Sequence, residues 1–183
     1  ESYDQALSLV PNYPEAQWNR AALALLLGDY PKGWQLFESR WAVKAHQMEQ
    51  RVLAGVRWTG REDIANKRIL IFAEQGLGDT VQFCRYALLL QKLGAIVVLQ
   101  VPSALKKILQ TLSDSLSVID DSETPSSYDY YCPIASLPLM FGTTLQTIPS
   151  FTSYLRASQE DIQAWGRRLP SIKQKRVGLV WSG

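Results

Sequence analysis

The side chains best suited to chemistry fall in one short run, Glu74-Gln75-Gly76-Leu77-Gly78-Asp79, followed at once by Thr80, Gln82, Arg85 and Tyr86. Glu74 and Asp79 supply carboxylates that accept hydroxyl hydrogen bonds. Gly76 and Gly78 are expected to adopt conformations closed to other residues and to let a ligand touch the backbone. A helix running from Thr80 to Leu93 would leave the N–H groups of Thr80 to Gln82 free for an anion or an oxygen-rich ligand. On that helix Gln82 and Tyr86 follow Asp79 at i+3 and i+7, so all three share a face and are expected to line one cleft. Arg85 reads either as a contact to a phosphate or as a charge on a solvated edge. Val81, Cys84 and Leu88 form another stripe and read as core.

Several chemistries are disfavoured. A dinucleotide site wants a third glycine near position 81 and an acid closing the second strand, where the chain has Val81 and Gln100-Val101-Pro102. No Gly-Lys-Ser/Thr follows the loop, which argues against Walker-type phosphate binding. Two cysteines, Cys84 and Cys132, and a single histidine, His46, are too few and too scattered for a metal site, and all three are read as packing or surface residues. No cofactor is expected. Net charge is +2 with no block of five like charges, so neither nucleic acid nor an anionic membrane is an expected partner. The longest apolar run, Ala21 to Leu27, spans seven residues, far short of the roughly 20 needed to cross a bilayer. With no signal-peptide pattern in residues 1 to 10, the expected location is the cytoplasm.

A loop of this kind needs a sheet behind it. Lys67-Arg68 lead into Ile69-Leu70-Ile71-Phe72-Ala73, a continuous apolar run that reads as a buried parallel strand. After the loop and its helix, Gly94 stops the helix and a second strand runs from Ile96 to Val101. Further strands are expected at Leu116 to Asp120 and Tyr128 to Pro133, with a helix from Pro102-Ser103 to about Leu112, a helical turn at Ser136 to Phe141 and a helix at Gln159 to Leu169. This alternation predicts an α/β fold with a doubly wound, mainly parallel sheet. Tyr128, Tyr130 and Tyr131 cluster near a strand end and read as packing residues, with sugar stacking as the rival reading. Within 183 residues that are 46% apolar, such a domain leaves room for one small appendage.

The appendage comes first. Tyr3-x-x-Ala6-Leu7-x-Leu9-x-Pro11, then Pro14-Glu15-Ala16 and Gly28-Asp29-Tyr30, read as helices broken by proline and glycine, and Tyr3 and Phe37 stand 34 residues apart. That unit resembles a tetratricopeptide repeat. Small residues at Ala21 and Gly33 would let its helices approach, and Tyr3 and Phe37 would fill the space between pairs. Arg40 and Trp41 replace the Ala-Leu usual there, which suggests that the array ends at this point. The expected organisation is helices at 1–42, a linker at 43–66, the α/β domain at 67–175 and a further strand at 176–183. That last strand, Arg176 to Trp181, is expected to open a second α/β domain, and the missing initiator methionine suggests a piece of something longer.

The run Ile-Leu-Ile-x-x-Glu-Gln-Gly-Leu-Gly-Asp-Thr-Val-Gln-Phe-x-Arg-Tyr at 69–86 resembles the first strand, loop and helix of heptosyltransferase-like GT-B glycosyltransferases, glycosyltransferase family 9, and the chain is similar to bacterial proteins that fuse such a domain to tetratricopeptide repeats. Agreement extends to Cys132-Pro133-Ile134-x-Ser136-Leu137-Pro138, Phe141-Gly142-Thr143-Thr144 and Arg176-Val177-Gly178-Leu179-Val180-Trp181. The resemblance implies the N-terminal half of a GT-B fold that holds a glycan or protein acceptor, while a nucleotide-diphosphate sugar sits on a C-terminal domain. It casts Asp79 as the catalytic base and leaves Glu74, Gln75, Gly76, Gly78, Thr80, Gln82, Arg85 and Tyr86 as the substrate-binding set. The repeats would offer a protein partner a surface.

Two alternatives stay open. Asp79 also suits the N-cap of a helix, with Gln82 completing a capping box, and a capping carboxylate is a weaker base. Glu74 is either a rival base or a loop or inter-domain contact. A non-catalytic binding scaffold is the competing function.

Overall fold

The computed structural model describes residues 2–43, 53–125, 127–169, 175 and 177–179. The chain begins with three helices, α1 (Ser2–Leu9), α2 (Pro14–Leu26) and α3 (Tyr30–Phe37), closed by a 3₁₀ turn at Glu38–Ala42. Proline in the first turn of both α2 and α3 suits a position whose N–H has no helical partner. The two helices touch where the sequence is small. Ala21 is fully buried, and a Cβ on Gly33 would lie 2.6 Å from Leu25 Cδ2 and 3.1 Å from Leu25 N, so any larger residue here requires Leu25 to give way. Phe37 packs on Trp18 with ring centroids 4.6 Å apart, whereas Tyr3 stays 38% exposed.

Five strands form one all-parallel sheet in the order β1-β5-β2-β3-β4: β1 (Val56–Arg57), β2 (Arg68–Phe72), β3 (Ile96–Val101), β4 (Ser117–Asp120) and β5 (Tyr130–Pro133). Central β2 reads as an unbroken apolar run because both its faces are covered. Ile69, Leu70 and Ile71 are completely buried, each stabilising the fold by about 1.5–3 kcal/mol. The outer strands are shorter and more polar, as edges require. The α/β expectation therefore holds, with every strand expected between 67 and 133 in place. One strand is additional. Of the stretch read as a linker, residues 53–66 contribute β1 and bury Trp58 and Ile64 in the core, so that part is woven into the domain.

The helices are α4 (Leu77–Phe83), α5 (Arg85–Lys92), α6 (Ser103–Leu109), a 3₁₀ turn at Ile134–Ser136 running into α7 (Leu137–Met140), and α8 (Gln159–Arg168). The single helix expected at 80–93 starts three residues earlier and is interrupted at Cys84. Its cause is local. Cys84 Sγ and the Tyr154 hydroxyl both reach the Val81 carbonyl, and Arg85 Nε takes the Gln82 carbonyl at 2.9 Å, so the acceptors that the next turn would use are engaged by side chains. The stop at Gly94 is as expected: with φ +84 it sends its N–H to Gln91 O while Ala95 N reaches Leu90 O, a Schellman close. The strand expected at 176–181 lies mostly outside the described residues, and Val177 and Leu179 are exposed without strand pairing. His46 also lies outside the described residues.

Candidate functional site

Chain order places the site. Strand β2 ends at Phe72, and the segment 73–76 carries the chain from the carboxyl end of the sheet into α4. Gly76, in extended conformation, is the N-cap, and Asp79 sits in the first turn, where its Oδ2 accepts the Gly76 N–H at 3.1 Å. This corrects the expected cap: Asp79 closes a capping box from inside the helix, and Gln82 has no part in it. Asp79 is exposed, and its Oδ1 has no partner among the described residues. The glycines also act differently from expectation. Neither Gly76 nor Gly78 has positive φ, and a Cβ on Gly78 would meet nothing within 4 Å, so Gly78 leaves open space beside the carboxylate rather than a strained turn.

Asp79 stands at the edge of a cavity of about 330 Å³ between the leading helices and the α/β domain. One wall is Leu25, Tyr30, Trp34 and Phe37 from α2 and α3. The opposite wall is Asp79, Gln82, Phe83, Arg85 and Tyr86 from α4 and α5, with Thr143 and Ile148 closing it. Trp34 meets Phe83 edge-on at 6.0 Å, which joins the two units beneath the opening. Asp79, Gln82 and Tyr86 thus converge as expected, and Arg85 lies with them in the lining. Tyr86 is only 3% exposed and shares a 2.8 Å hydrogen bond with Thr143 Oγ1, so it forms the base of the cavity rather than a free ligand contact. Burial pushes its hydroxyl pKa up. Arg85, half-buried in the lining, is partly engaged within the fold: Nη1 donates to Pro149 O at 2.6 Å, Nε to Gln82 O at 2.9 Å, and the guanidinium lies over the Tyr154 ring.

Other expected contacts fall elsewhere. Thr80 is fully buried with its hydroxyl on Gly76 O at 3.1 Å, and its N–H bonds the same carbonyl, so it binds the helix start and nothing outside it. Gln75 is half-buried and outside the cavity lining.

Glu74 belongs to a separate cluster. The order of strand addition reverses between β2 and β5, the place where open parallel sheets receive ligands beyond their carboxyl ends. Arg40 of the 3₁₀ turn fills that crevice, completely buried, with Nη2 donating to Glu74 Oε1 at 2.9 Å and to Ser136 Oγ at 2.7 Å, and Nη1 to Glu38 Oε1 at 2.6 Å. Arg57, at the end of β1, donates to Glu38 Oε2 at 2.5 Å. Burial pushes the Glu74 carboxyl above its ordinary pKa, with Arg40 offsetting only part of the effect. Burial also acts on Glu38, but Arg40, Ser136 and Arg57 together hold its pKa below the ordinary value. Glu74 Oε2 and Arg40 Nε are buried without partners. Of the two readings of Glu74, the inter-domain contact is the one its surroundings support. Arg40 is the residue the sequence reading missed in this role. Its signal was a charge where a repeat usually carries an apolar residue.

Cys84 and Cys132 are both buried and unpaired, and burial pushes the Cys84 thiol up to about 12 and that of Cys132 higher still. Tyr130 and Tyr131 are half-buried on the sheet, Tyr131 against Phe72, which fits packing. Among the described residues no group of three or more His, Cys, Asp or Glu side chains is arranged to hold a metal ion, and no helix is long and apolar enough to cross a membrane.

The chain is similar to protein FlbA of Caulobacter vibrioides, with 26% identity over 194 aligned residues that cover 93% of this chain and 32% of that protein. It therefore spans about a third of the length of the curated relative it matches. No family model matches the chain, and no solved structure matches it.

Proposed function

We propose that this chain is the acceptor-side part of an inverting, heptosyltransferase-like GT-B glycosyltransferase, preceded by a tetratricopeptide-like helical unit. The observation that carries the reading is the state of Asp79: one carboxylate oxygen is fixed by the Gly76 N–H, and the other is unpartnered at the edge of a cavity at the carboxyl end of a parallel sheet. An alcohol is a poor nucleophile until its proton has somewhere to go. In this reading Asp79 takes that proton as the hydroxyl oxygen bonds to the anomeric carbon and the opposite bond, to the nucleoside diphosphate, breaks with inversion. The capping oxygen fixes the rotamer, and the free one acts as base. The donor would be held by a second domain outside this chain.

The test uses the full-length protein, a panel of nucleotide-diphosphate sugars and release of nucleoside diphosphate. Asp79→Asn retains an oxygen for the Gly76 N–H, so its thermal midpoint should match the parent while turnover drops about 10²–10⁴-fold. Full turnover in this variant would remove Asp79 from the chemistry. Absence of hydrolysis and transfer by the parent protein would favour the scaffold reading, for which the exposed Leu9, Leu26 and Leu27 of α1–α2 and the turn after them offer a surface.

A further inference from the structure

We propose that Arg40 is a positioning residue for Asp79: from the helical unit it clamps Glu74, and so fixes the loop at 74–79 that delivers the Asp79 carboxylate. The catalytic part played by Asp79 rests on the sugar-transfer reading, whereas the clamp is a property of the fold and can be measured apart from it.

The clamp is rigid at its source. Arg40 is completely buried in the 3₁₀ turn that closes the helical unit, and its guanidinium carbon lies 5.1 Å from the ring centroid of Phe37 and 5.0 Å from that of Trp41. Two aromatic neighbours leave the planar fork little freedom to turn. Nη1 is spent within the turn on Glu38, while Nη2 reaches out of the helical unit to Glu74 Oε1 at 2.9 Å and Ser136 Oγ at 2.7 Å. The Ala135 N–H donates to the same Glu74 oxygen at 3.2 Å. One carboxylate oxygen is thus held by donors from segments 34 residues before it and 61 residues after it.

Glu74 opens the loop, and Asp79 closes it. Just ahead of Glu74, the Ala73 N–H ties the chain to the sheet at Gln100 O, 2.9 Å away. Beyond it, the Gly76 N–H holds Asp79 Oδ2 at 3.1 Å and the Gly76 carbonyl accepts the Thr80 N–H at 3.1 Å. A Cβ on Gly76 would stand 3.3 Å from Asp79 Oδ2, so the carboxylate lies close against that backbone and follows it. A displacement of Glu74 is therefore passed along the chain to Gly76 and from there to Asp79. Glu74 Oε2 and Arg40 Nε are buried without partners. A buried pair satisfied only in part is a poor source of net stability, and the best-attested use of such pairs is to fix register. Here the register is that of the helical unit against the loop. Chemistry is sensitive to it, since a misplacement of about 1 Å can cost on the order of 10²-fold in rate.

The test compares amide hydrogen exchange and turnover of the full-length protein with those of Arg40→Met, Glu74→Ala and Glu74→Gln. Exchange at the Gly76 and Thr80 amides should quicken about tenfold in Arg40→Met and Glu74→Ala, under conditions where the Leu99 amide of β3 still exchanges at the parent rate. Glu74→Gln keeps an oxygen for Arg40 Nη2 and the Ala135 N–H, so it should recover most of the protection that Glu74→Ala loses. With a sugar nucleotide that the parent turns over, Arg40→Met should lower kcat about 10–10²-fold and leave the acceptor KM within about twofold, because a group is misplaced rather than a binding surface removed. Should Arg40→Met fold poorly, the two Glu74 variants decide the matter. Exchange at Gly76 and Thr80 that stays at the parent rate, or that rises only in step with Leu99, overturns the clamp even where the parent transfers sugar. A parent that transfers none refutes the transferase reading, and loop exchange alone then upholds or overturns the clamp.

Discussion

Replacing Arg40 with methionine tests the claim that a buried ion cluster, rather than a ligand, occupies the crevice where the strand order reverses. Methionine keeps most of the volume and removes the charge. Glu74, with a side chain 6% exposed, then loses its one charged partner among the described residues, and Glu38 keeps Arg57. Breaking a buried pair by deleting one member costs about 3–5 kcal/mol, because the remaining charge is left in a poorly solvating environment. Against a usual total of roughly 5–15 kcal/mol, that is a large share. The pH dependence gives the sharper signature. A carboxyl whose folded pKa lies above its unfolded value contributes stability below the unfolded value, near 4.5, and loses it as pH rises through the folded pKa. Glu74 is already of this kind, and removal of Arg40 should raise its folded pKa further. Urea unfolding of Arg40→Met should therefore show a deficit that grows from pH 5 to pH 8, and a second change, Glu74→Gln, should flatten that slope. A loss below about 1 kcal/mol, or a deficit independent of pH, would refute the account of the cluster.

Gly33→Val should destabilise the protein by about 1–3 kcal/mol in chemical denaturation, since its Cβ would fall 2.6 Å from Leu25 Cδ2; an unchanged midpoint would mean the helices can separate freely. Tyr86→Phe should cost about 1 kcal/mol in the same assay by leaving Thr143 Oγ1 buried without its partner. Cys84 and Cys132 should resist a thiol reagent at pH 8 in the native protein and both react in 8 M urea, a concentration of about 8 M being ample for full unfolding, because burial holds the Cys84 pKa up at about 12 and Cys132 higher. Rapid native labelling of either would contradict their burial.

Much of the architecture was legible in residue order. Ile69–Phe72 and Ile96–Val101 are apolar on both faces because a central parallel strand has no solvent side, and Gly94 marks a helix end because few other residues tolerate φ +84. The convergence of Asp79 and Gln82 followed from helical spacing, and Tyr86 joins them across the break at Cys84. Local pattern could not supply the partners from distant segments. Thr80 and Tyr86 carry hydroxyls that suit a ligand, yet one is spent on Gly76 O and the other on Thr143, 57 residues away. Val56–Arg57 is too short to register as a strand until Tyr130–Tyr131 pairs with it. Arg40 and Glu74, 34 residues apart, form a buried pair only because the helical unit docks on the sheet. Periodicity records which face of an element avoids water, so the sequence by itself determined the elements and the location of the loop. Which polar groups are consumed within the fold, and which remain free, depends on contacts between elements far apart in the chain, and only the tertiary structure decided that.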